Sequence, residues 1–405
     1  MGSQQGNRTI RIAGSVTGQA LIFALSTTVI AAGTQAEEPE TTPAGRVGYP
    51  LEEIVVTARR RAEDIMATPI SITAFTADSL TARQIDQAHQ IAEATPNLVF
   101  RKQVESTSIA SIIYIRGIGQ RDFSPTVQPG VSTYMDGAYM ANVTGGLVDV
   151  VDIESIQVLR GPQGTLFGRN TIGGAVLINS IKPHQEFGAD LELIAGDYSR
   201  KQIKASVNVP FTDSFFGKFS GMAREKDGYV KTPNIPGDNE AGRDDTWVAR
   251  AALRWVPTQS LTIDLVGDMS HHESDGPPIV LGDYIDETTP GTASGDYNND
   301  VAPVLGWPLF TNEAYTQSRL RYVAESTLYE KAEADIWSAT LTVDWEFADV
   351  NLKSITNYRD LDTEDGQDGD YSPASVYKVN QTFEGNQWSQ ELQLSARPGT
   401  IALIG

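Results

Sequence analysis

From about residue 184 onward the chain alternates hydrophobic and polar residues. Trp247, Ala249, Ala251, Leu253 and Trp255 fall on one side of an extended segment, with Thr246, Arg250 and Arg254 on the other. Trp337, Ala339, Leu341, Val343 and Trp345 repeat this opposite Ser338, Thr340, Thr342 and Asp344, and Leu261, Ile263 and Leu265 alternate with Thr262, Asp264 and Val266. A period of two predicts strands of a sheet with one apolar side. A soluble sandwich would alternate too, but two features favour a barrel that crosses a membrane. Two of the apolar faces begin and end in Trp, and eight steps at about 3.3 Å, tilted about 45°, rise roughly 19 Å, close to the ~25 Å lipid-facing band between aromatic girdles. The connections also alternate: 210–215, 256–260 and 346–349 are short, whereas 226–245, 273–335 and 361–386 are long and rich in Gly, Pro, Asp, Asn and aromatics, as in outer-membrane barrels.

Before residue 184 the pattern is different. Arg8 and Arg11 precede an apolar run over 20–32 and then the small residues of Thr34-Gln35-Ala36, the order of a secretory signal spanning 1–36. Residues 37–50 are rich in Pro, Thr, Glu and Gly and read as a solvated linker. Residues 51–58 are a short β-prone stretch, followed by Arg59-Arg60-Arg61. Residues 59–183 read as one α+β domain. In it Ile70, Ile72 and Ala74 alternate as a strand, Asp78 or Ser79 caps a short helix carrying Leu80 and Ile85, and a second helix through Ile91 stops near Pro96. Asp136-Gly137 between two β-prone runs is a hairpin signal.

Composition narrows the chemistry. The 405 residues carry a formal charge of −21, so no basic surface is offered to a nucleic acid. Without cysteine and with only four His, disulfides, thiolate catalysis and Cys-based zinc sites are excluded. Gly161-Pro162-Gln163-Gly164 lacks the Lys-Ser/Thr of a phosphate cradle. The acidic run 360–370 has its Gly366 out of register for a calcium loop and reads as an acidic extracellular loop; His271-His272-Glu273 reads as a polar strand end. No nucleophile, base and orienter can be assembled, so neither an enzyme nor a resident cofactor or metal is expected.

The segments Glu52-Glu53-Ile54-Val55-Val56-Thr57-Ala58, Ile115-Arg116-Gly117-Ile118-Gly119 and Tyr134-Met135-Asp136-Gly137, and above all the run Ile153-Glu154-Ser155-Ile156-Gln157-Val158-Leu159-Arg160-Gly161-Pro162-Gln163-Gly164-Thr165-Leu166-Phe167-Gly168-Arg169-Asn170, resemble TonB-dependent receptors. The resemblance implies an α+β plug domain followed by an antiparallel transmembrane β-barrel in the bacterial outer membrane. Such barrels have about 22 strands, of which 184–405 supplies roughly eight, so a truncated sequence is expected.

The resemblance also implies site residues. Glu52, Glu53, Ile54, Val55, Val56 and Thr57 match the TonB box, which TonB, working with ExbB/ExbD, pairs with by strand addition; the β formers Ile54, Val55 and Val56 suit that. Arg116 and Arg160 match plug positions that latch onto barrel glutamates. Glu391, on the polar side of a strand over 387–395, is the candidate partner, its alternative being a lumen-lining carboxylate. Arg121, Phe123 and Asn142 at the plug apices, with Tyr284, Tyr297 and Trp307 in the longest loop, are candidates to contact an extracellular small-molecule ligand. The cargo implied first is a ferric siderophore or other iron complex, with saccharides, haem, cobalamin and aromatic compounds as alternatives. A passive porin or adhesin barrel, or a surface glycan-binding protein, is the reading from another class; the plug motifs argue against it.

Overall fold

The computed structural model describes residues 8–14, 55–57, 59–60, 63–102, 110–121, 127–141, 149, 151–235, 240–275, 302–308, 331–369 and 377–396. A first strand, β1 (Arg8–Gly14), lies at a sheet edge described below. The plug then begins with a minimal pair, β2 (Val55–Val56) with β3 (Glu63–Asp64). Strand β4 (Ile72–Thr76) leads directly into α1 (Ala77–Ala82), and the Thr76 hydroxyl, rather than Asp78 or Ser79, caps it by accepting the Ser79 N–H. The second helical segment is a 3₁₀ helix over Ala88–Ala94 that ends before Pro96.

Strands β5 (Leu98–Lys102), β6 (Ser111–Ile115) and β7 (Ile118–Gln120) form a three-stranded sheet. Strands β8 (Val131–Met135), β9 (Ala138–Met140), β10 (Ile153–Arg160) and, after the one-turn helix α2 (Gly164–Phe167), β11 (Gly174–Ser180) join β4 in a sheet of order β4-β10-β11-β8-β9. The β8–β9 hairpin turns at Asp136 (φ 50°) and Gly137 (φ 85°), the paired left-handed conformations that a two-residue primed turn needs. A Cβ on Gly137 would also lie 2.9 Å from the tip of the Ile355 side chain of the barrel wall, which would have to shift, and the positive φ would strain any side chain there.

The plug sheet is apolar on both faces. Ile156, Val158, Val176 and Ile178 pack with Leu80, Ile91 and Ile115 on one side, while Leu159, Ala175 and Leu177 pack with Val56, Tyr134 and Phe167 on the other. Each fully buried aliphatic side chain contributes about 1.5–3 kcal/mol.

The wall follows as β12 (Gly188–Ala195), β13 (Lys201–Pro210), β14 (Phe215–Lys226), a small hairpin β15 (Val230–Lys231) with β16 (Glu240–Ala241), β17 (Asp244–Thr258) and β18 (Leu261–Ser274). After the single turn α2-like helix α3 (Ala302–Leu305) come β19 (Lys331–Phe347), β20 (Val350–Asp368) and β21 (Lys378–Ala396). They make one nine-stranded antiparallel sheet of order β1-β12-β13-β14-β17-β18-β19-β20-β21, whose outer two strands are β1 and β21. The side facing away from the plug is the apolar one: Trp247, Trp255, Leu265, Trp337, Leu341 and Trp345 are all exposed there, while Arg250 and Thr340 on the inner side are buried. No helix among the described residues is long and apolar enough to cross a membrane; the strands do so.

Among the described residues, 184–405 contribute eight wall strands, as the alternation predicts. Residues 8–14 pair with β12 in register from Arg8↔Ala195 to Gly14↔Ala189, at a strand edge that accepts an extended segment supplying backbone donors and acceptors. Two expectations differ. The long connections 273–335 and 361–386 are shorter than read, since β18 runs on to Ser274, β19 starts at Lys331, β20 reaches Asp368 and β21 starts at Lys378. The acidic run 360–368 is therefore strand rather than loop: ladder hydrogen bonds continue past the apolar band, and only the side-chain chemistry changes there.

Leu341→Arg, an outward position midway between Trp337 and Trp345, is expected to cost about 2–4 kcal/mol of barrel stability, read as a lower unfolding midpoint in urea after reconstitution in lipid.

Candidate functional site

Turning the apolar side of the wall outward leaves its charges facing the plug, and the site is where the two meet. Three wall cations, Lys218, Arg224 and Arg250, are nearly inaccessible to solvent, and each meets a plug carboxylate. Arg250 donates to Asp136, at the β8–β9 turn, and to Asp268 on β18 at 2.5 Å. Asp136 also receives Lys182 at 3.1 Å, and the Ser180 hydroxyl and N–H at 2.8 and 2.9 Å. Lys218 meets Asp152 at 2.9 Å, which also accepts from the Ser220 hydroxyl. Arg224 meets Asp149 at 2.6 Å and Asp244 at 3.3 Å. Asp86, beyond α1, binds Lys204 at 2.9 Å and Arg200 at 3.4 Å. A row of plug aspartates is therefore held by a row of wall cations. Removing one partner of such a buried pair strands the other charge and costs about 3–5 kcal/mol.

Burial opposes ionisation of Asp136, but Lys182, then Arg250 and the Ser180 hydrogen bonds outweigh it and hold this carboxyl well below the usual range. His89, on the 3₁₀ helix, is lowered to about 4, by burial first and then by Lys102 and Arg224 against the opposing pull of Asp149. Lys102 is itself lowered, chiefly by burial. Lys102 and Asp149 line a cavity of about 120 Å³ between plug and wall, together with Met135, Thr246, Arg250 and His272.

One contact has the opposite polarity. Arg60 of the plug binds Glu391 of β21 at 3.1 Å, and its guanidinium lies over the rings of Phe167 (4.3 Å) and Tyr134 (5.0 Å). Three residues earlier, the Thr57 N–H donates to the buried Gln157 side chain at 3.0 Å, and Val56 is fully buried among Tyr134, Leu159 and Leu177. The end of the β-prone stretch 51–58 is therefore folded into the plug, next to the ion pair that ties the plug to the wall. Nearby, Gln387 of β21 accepts the Ala141 N–H (2.9 Å) and donates to the Tyr139 carbonyl (2.6 Å), acting as a one-residue strand against the free edge of β9.

The expected site residues fall unevenly. Val55, Val56 and Thr57 belong to this docked segment, while Glu52, Glu53 and Ile54 lie outside the described residues. Glu391 faces the plug, but its partner is Arg60, so the expected pairing with Arg116 or Arg160 is replaced. Arg116 is at an exposed two-residue turn with its guanidinium against Gly161, and Arg160 reaches the Pro96 carbonyl at 3.5 Å; among the described residues neither has a carboxylate partner. Their motif positions favour tight packing of two turns there. Arg121 is exposed and Trp307 half-buried, whereas Phe123, Asn142, Tyr284 and Tyr297 lie outside the described residues. The aspartate row was missed by sequence reasoning; its signal was the placement of Arg224 and Arg250 on the polar side of wall strands, which demands anions across the lumen.

Acidification has a defined sign here. Between the ordinary histidine value of about 6.5 and the value of about 4 in the fold, the unfolded chain binds a proton at His89 that the folded plug excludes, so stability falls as pH drops through that window. The Asp136 tie, with its carboxyl depressed, persists below the ordinary carboxylate range. The thermal midpoint is expected to decline from pH 7 to pH 4.5, and His89→Gln to flatten the decline, in scanning calorimetry of the detergent-solubilised protein.

The plug and the sheet around it each have counterparts among known proteins. Residues 64–175 match the model of the TonB-dependent Receptor Plug Domain. The Ferrioxamine B receptor of Salmonella typhimurium is 25% identical over 225 residues, 54% of this chain and 30% of that protein. The Vitamin B12 transporter BtuB of Vibrio vulnificus is 25% identical over 191 residues, 47% of this chain and 30% of that protein. Among solved structures, the ferric yersiniabactin uptake receptor FyuA of Yersinia pestis superposes with a TM-score of 0.62 at 18% identity, covering 83% of this chain and 47% of that one. The matched stretches thus span about a third of the curated relatives' length and under half of the solved receptor. Residues 64–175 thus carry a TonB-dependent receptor plug domain, and with the sheet around it matched in fold the chain resembles the TonB-dependent receptors of the bacterial outer membrane.

Proposed function

We propose that the protein takes up a ferric siderophore across the outer membrane, drawing on TonB, with ExbB/ExbD, for energy. The observation that carries this reading is the docked segment 55–57. A strand that TonB is to capture must be held until a ligand arrives, and here Val56 is buried and Thr57 hydrogen-bonded to Gln157 immediately before Arg60, whose partner Glu391 belongs to the wall. Any movement of β21 or of the β8–β9 hairpin changes the Arg60 cluster, and the cluster sits three residues from the segment to be released. A ligand arriving outside, at the apices around Arg121 and the loops between wall strands, needs only a differential contact with the released state to shift that balance.

The iron cargo rests on relatives described as Ferrioxamine B receptor and ferric yersiniabactin uptake receptor. Cobalamin is the second reading, favoured by the likeness to the Vitamin B12 transporter BtuB. In either case the plug must yield without leaving the wall's charges bare. The Asp86, Asp136, Asp149 and Asp152 pairs span several strands, so a pull on the N-terminal end meets the Arg60–Glu391 pair first and the aspartate row afterwards.

Deleting residues 53–57 is expected to abolish growth on a ferric siderophore as sole iron source while leaving the protein in the outer membrane; undiminished growth would refute energy coupling through this segment. Arg60→Gln is expected to raise the protease accessibility of 55–57 in the ligand-free protein, read by limited proteolysis and mass spectrometry. Loss of cobalamin-dependent rather than siderophore-dependent growth on deletion would select the second cargo.

A further inference from the structure

Level with Trp247 and one row beyond Trp337, the outer face of the wall changes from apolar to acidic. The strand register places His271, Asp335, Asp362 and Glu384 directly across from one another on β18, β19, β20 and β21, and Glu273, Glu333 and Glu364 in the next row outward. Like charges directly opposite on adjacent strands destabilise a ladder. Part of this charge is met: Arg243 pairs with Glu273, and Lys331 pairs with Glu333 and lies 3.5 Å from Glu364. The row of Asp335, Asp362 and Glu384 has no described cation partner other than the His271 ring.

Within this belt one set of side chains is arranged as a chelate. His271, Asp335 and Glu333 bring ligand atoms within 4.8 Å of one another. Two come from one face of β19, two residues apart, and the third from its neighbour β18. The His271 ring is fixed on both sides, stacked on Trp247 at 6.2 Å between centroids and bonded through Nδ1 to Asp335 at 2.8 Å. A ladder of fourteen paired residues between β18 and β19 supports them, and ligands on regular strands are held more closely than ligands on loops.

We propose that His271, Asp335 and Glu333 form a binding site for one divalent first-row transition ion on the outer face of the barrel, separate from the plug and from the ligand passage. One imidazole with two carboxylates suits zinc-class ions better than calcium or magnesium, which favour all-oxygen sets. The ion replaces the proton-mediated His271–Asp335 contact and draws Glu333 away from Lys331, leaving Lys331 to Glu364. Three protein ligands leave open positions for water. The cation also offsets the repulsion along Asp335, Asp362 and Glu384.

The test is a zinc titration of the full-length protein in detergent by isothermal calorimetry, with cobalt absorption spectra as a second readout. One zinc equivalent is expected that millimolar calcium does not displace, weakened roughly tenfold or more by His271→Ala and by Asp335→Asn, and by less than about twofold by Glu384→Gln or by His184→Ala. Cobalt should give a d–d band that His271→Gln removes. Retained heat-modifiable mobility in gel electrophoresis shows that the variants are folded. Zinc binding unchanged in folded His271→Ala, free displacement by calcium, or no zinc equivalent at all would overturn the proposal, the second outcome leaving only diffuse attraction to an acidic surface.

Discussion

A wall that meets lipid with its apolar side has to keep its charges on the other side. In this protein the inner side of β13, β14 and β17 carries Lys204, Lys218, Arg224 and Arg250, and the last three are nearly inaccessible to solvent because the plug packs against them. A buried cation without a partner is prohibitively costly, so the plug must present anions at matching heights. Asp86, Asp136, Asp149 and Asp152 do this. Their backbone settings follow: Asp136 and Asp152 both adopt positive φ, conformations that a short polar side chain tolerates better than a bulky one. The alternation of the wall and the turns of the plug thus answer one electrostatic requirement.

Such an interface is specific without being greasy. The plug's own hydrophobic clusters close on themselves, so its contacts with the wall are mostly ion pairs and hydrogen bonds, among them the Gln387 bridge to the edge of β9. Replacing a buried ion pair by apolar side chains is often neutral or stabilising, so the row is better understood as register and orientation than as adhesive. The Arg60–Glu391 pair has the opposite polarity, a plug cation on a wall carboxylate, and lies beside the docked segment 55–57.

The sequence by itself determined the strand character of the wall, the lipid-facing side of the segments around 247–255, 261–265 and 337–345, and the β8–β9 hairpin. These are local properties: a period of two, a pair of Trp residues bracketing an apolar face, and Asp136-Gly137 at a turn that needs two positive φ values. The motif-bearing run 153–170 likewise forms a strand, a tight turn and a one-turn helix in sequence order. What only the tertiary structure decided was which charges meet. Glu391 was readable as an inward carboxylate, but its choice of Arg60 over Arg116 or Arg160 depends on how the plug is rotated within the wall. His271 and Asp335, separated by 64 residues, become neighbours only through the β18–β19 register. Alternation assigns a side chain to a face, whereas partnership across a lumen or a ladder depends on heights and rotations set by hundreds of distant contacts, to which no local pattern has access.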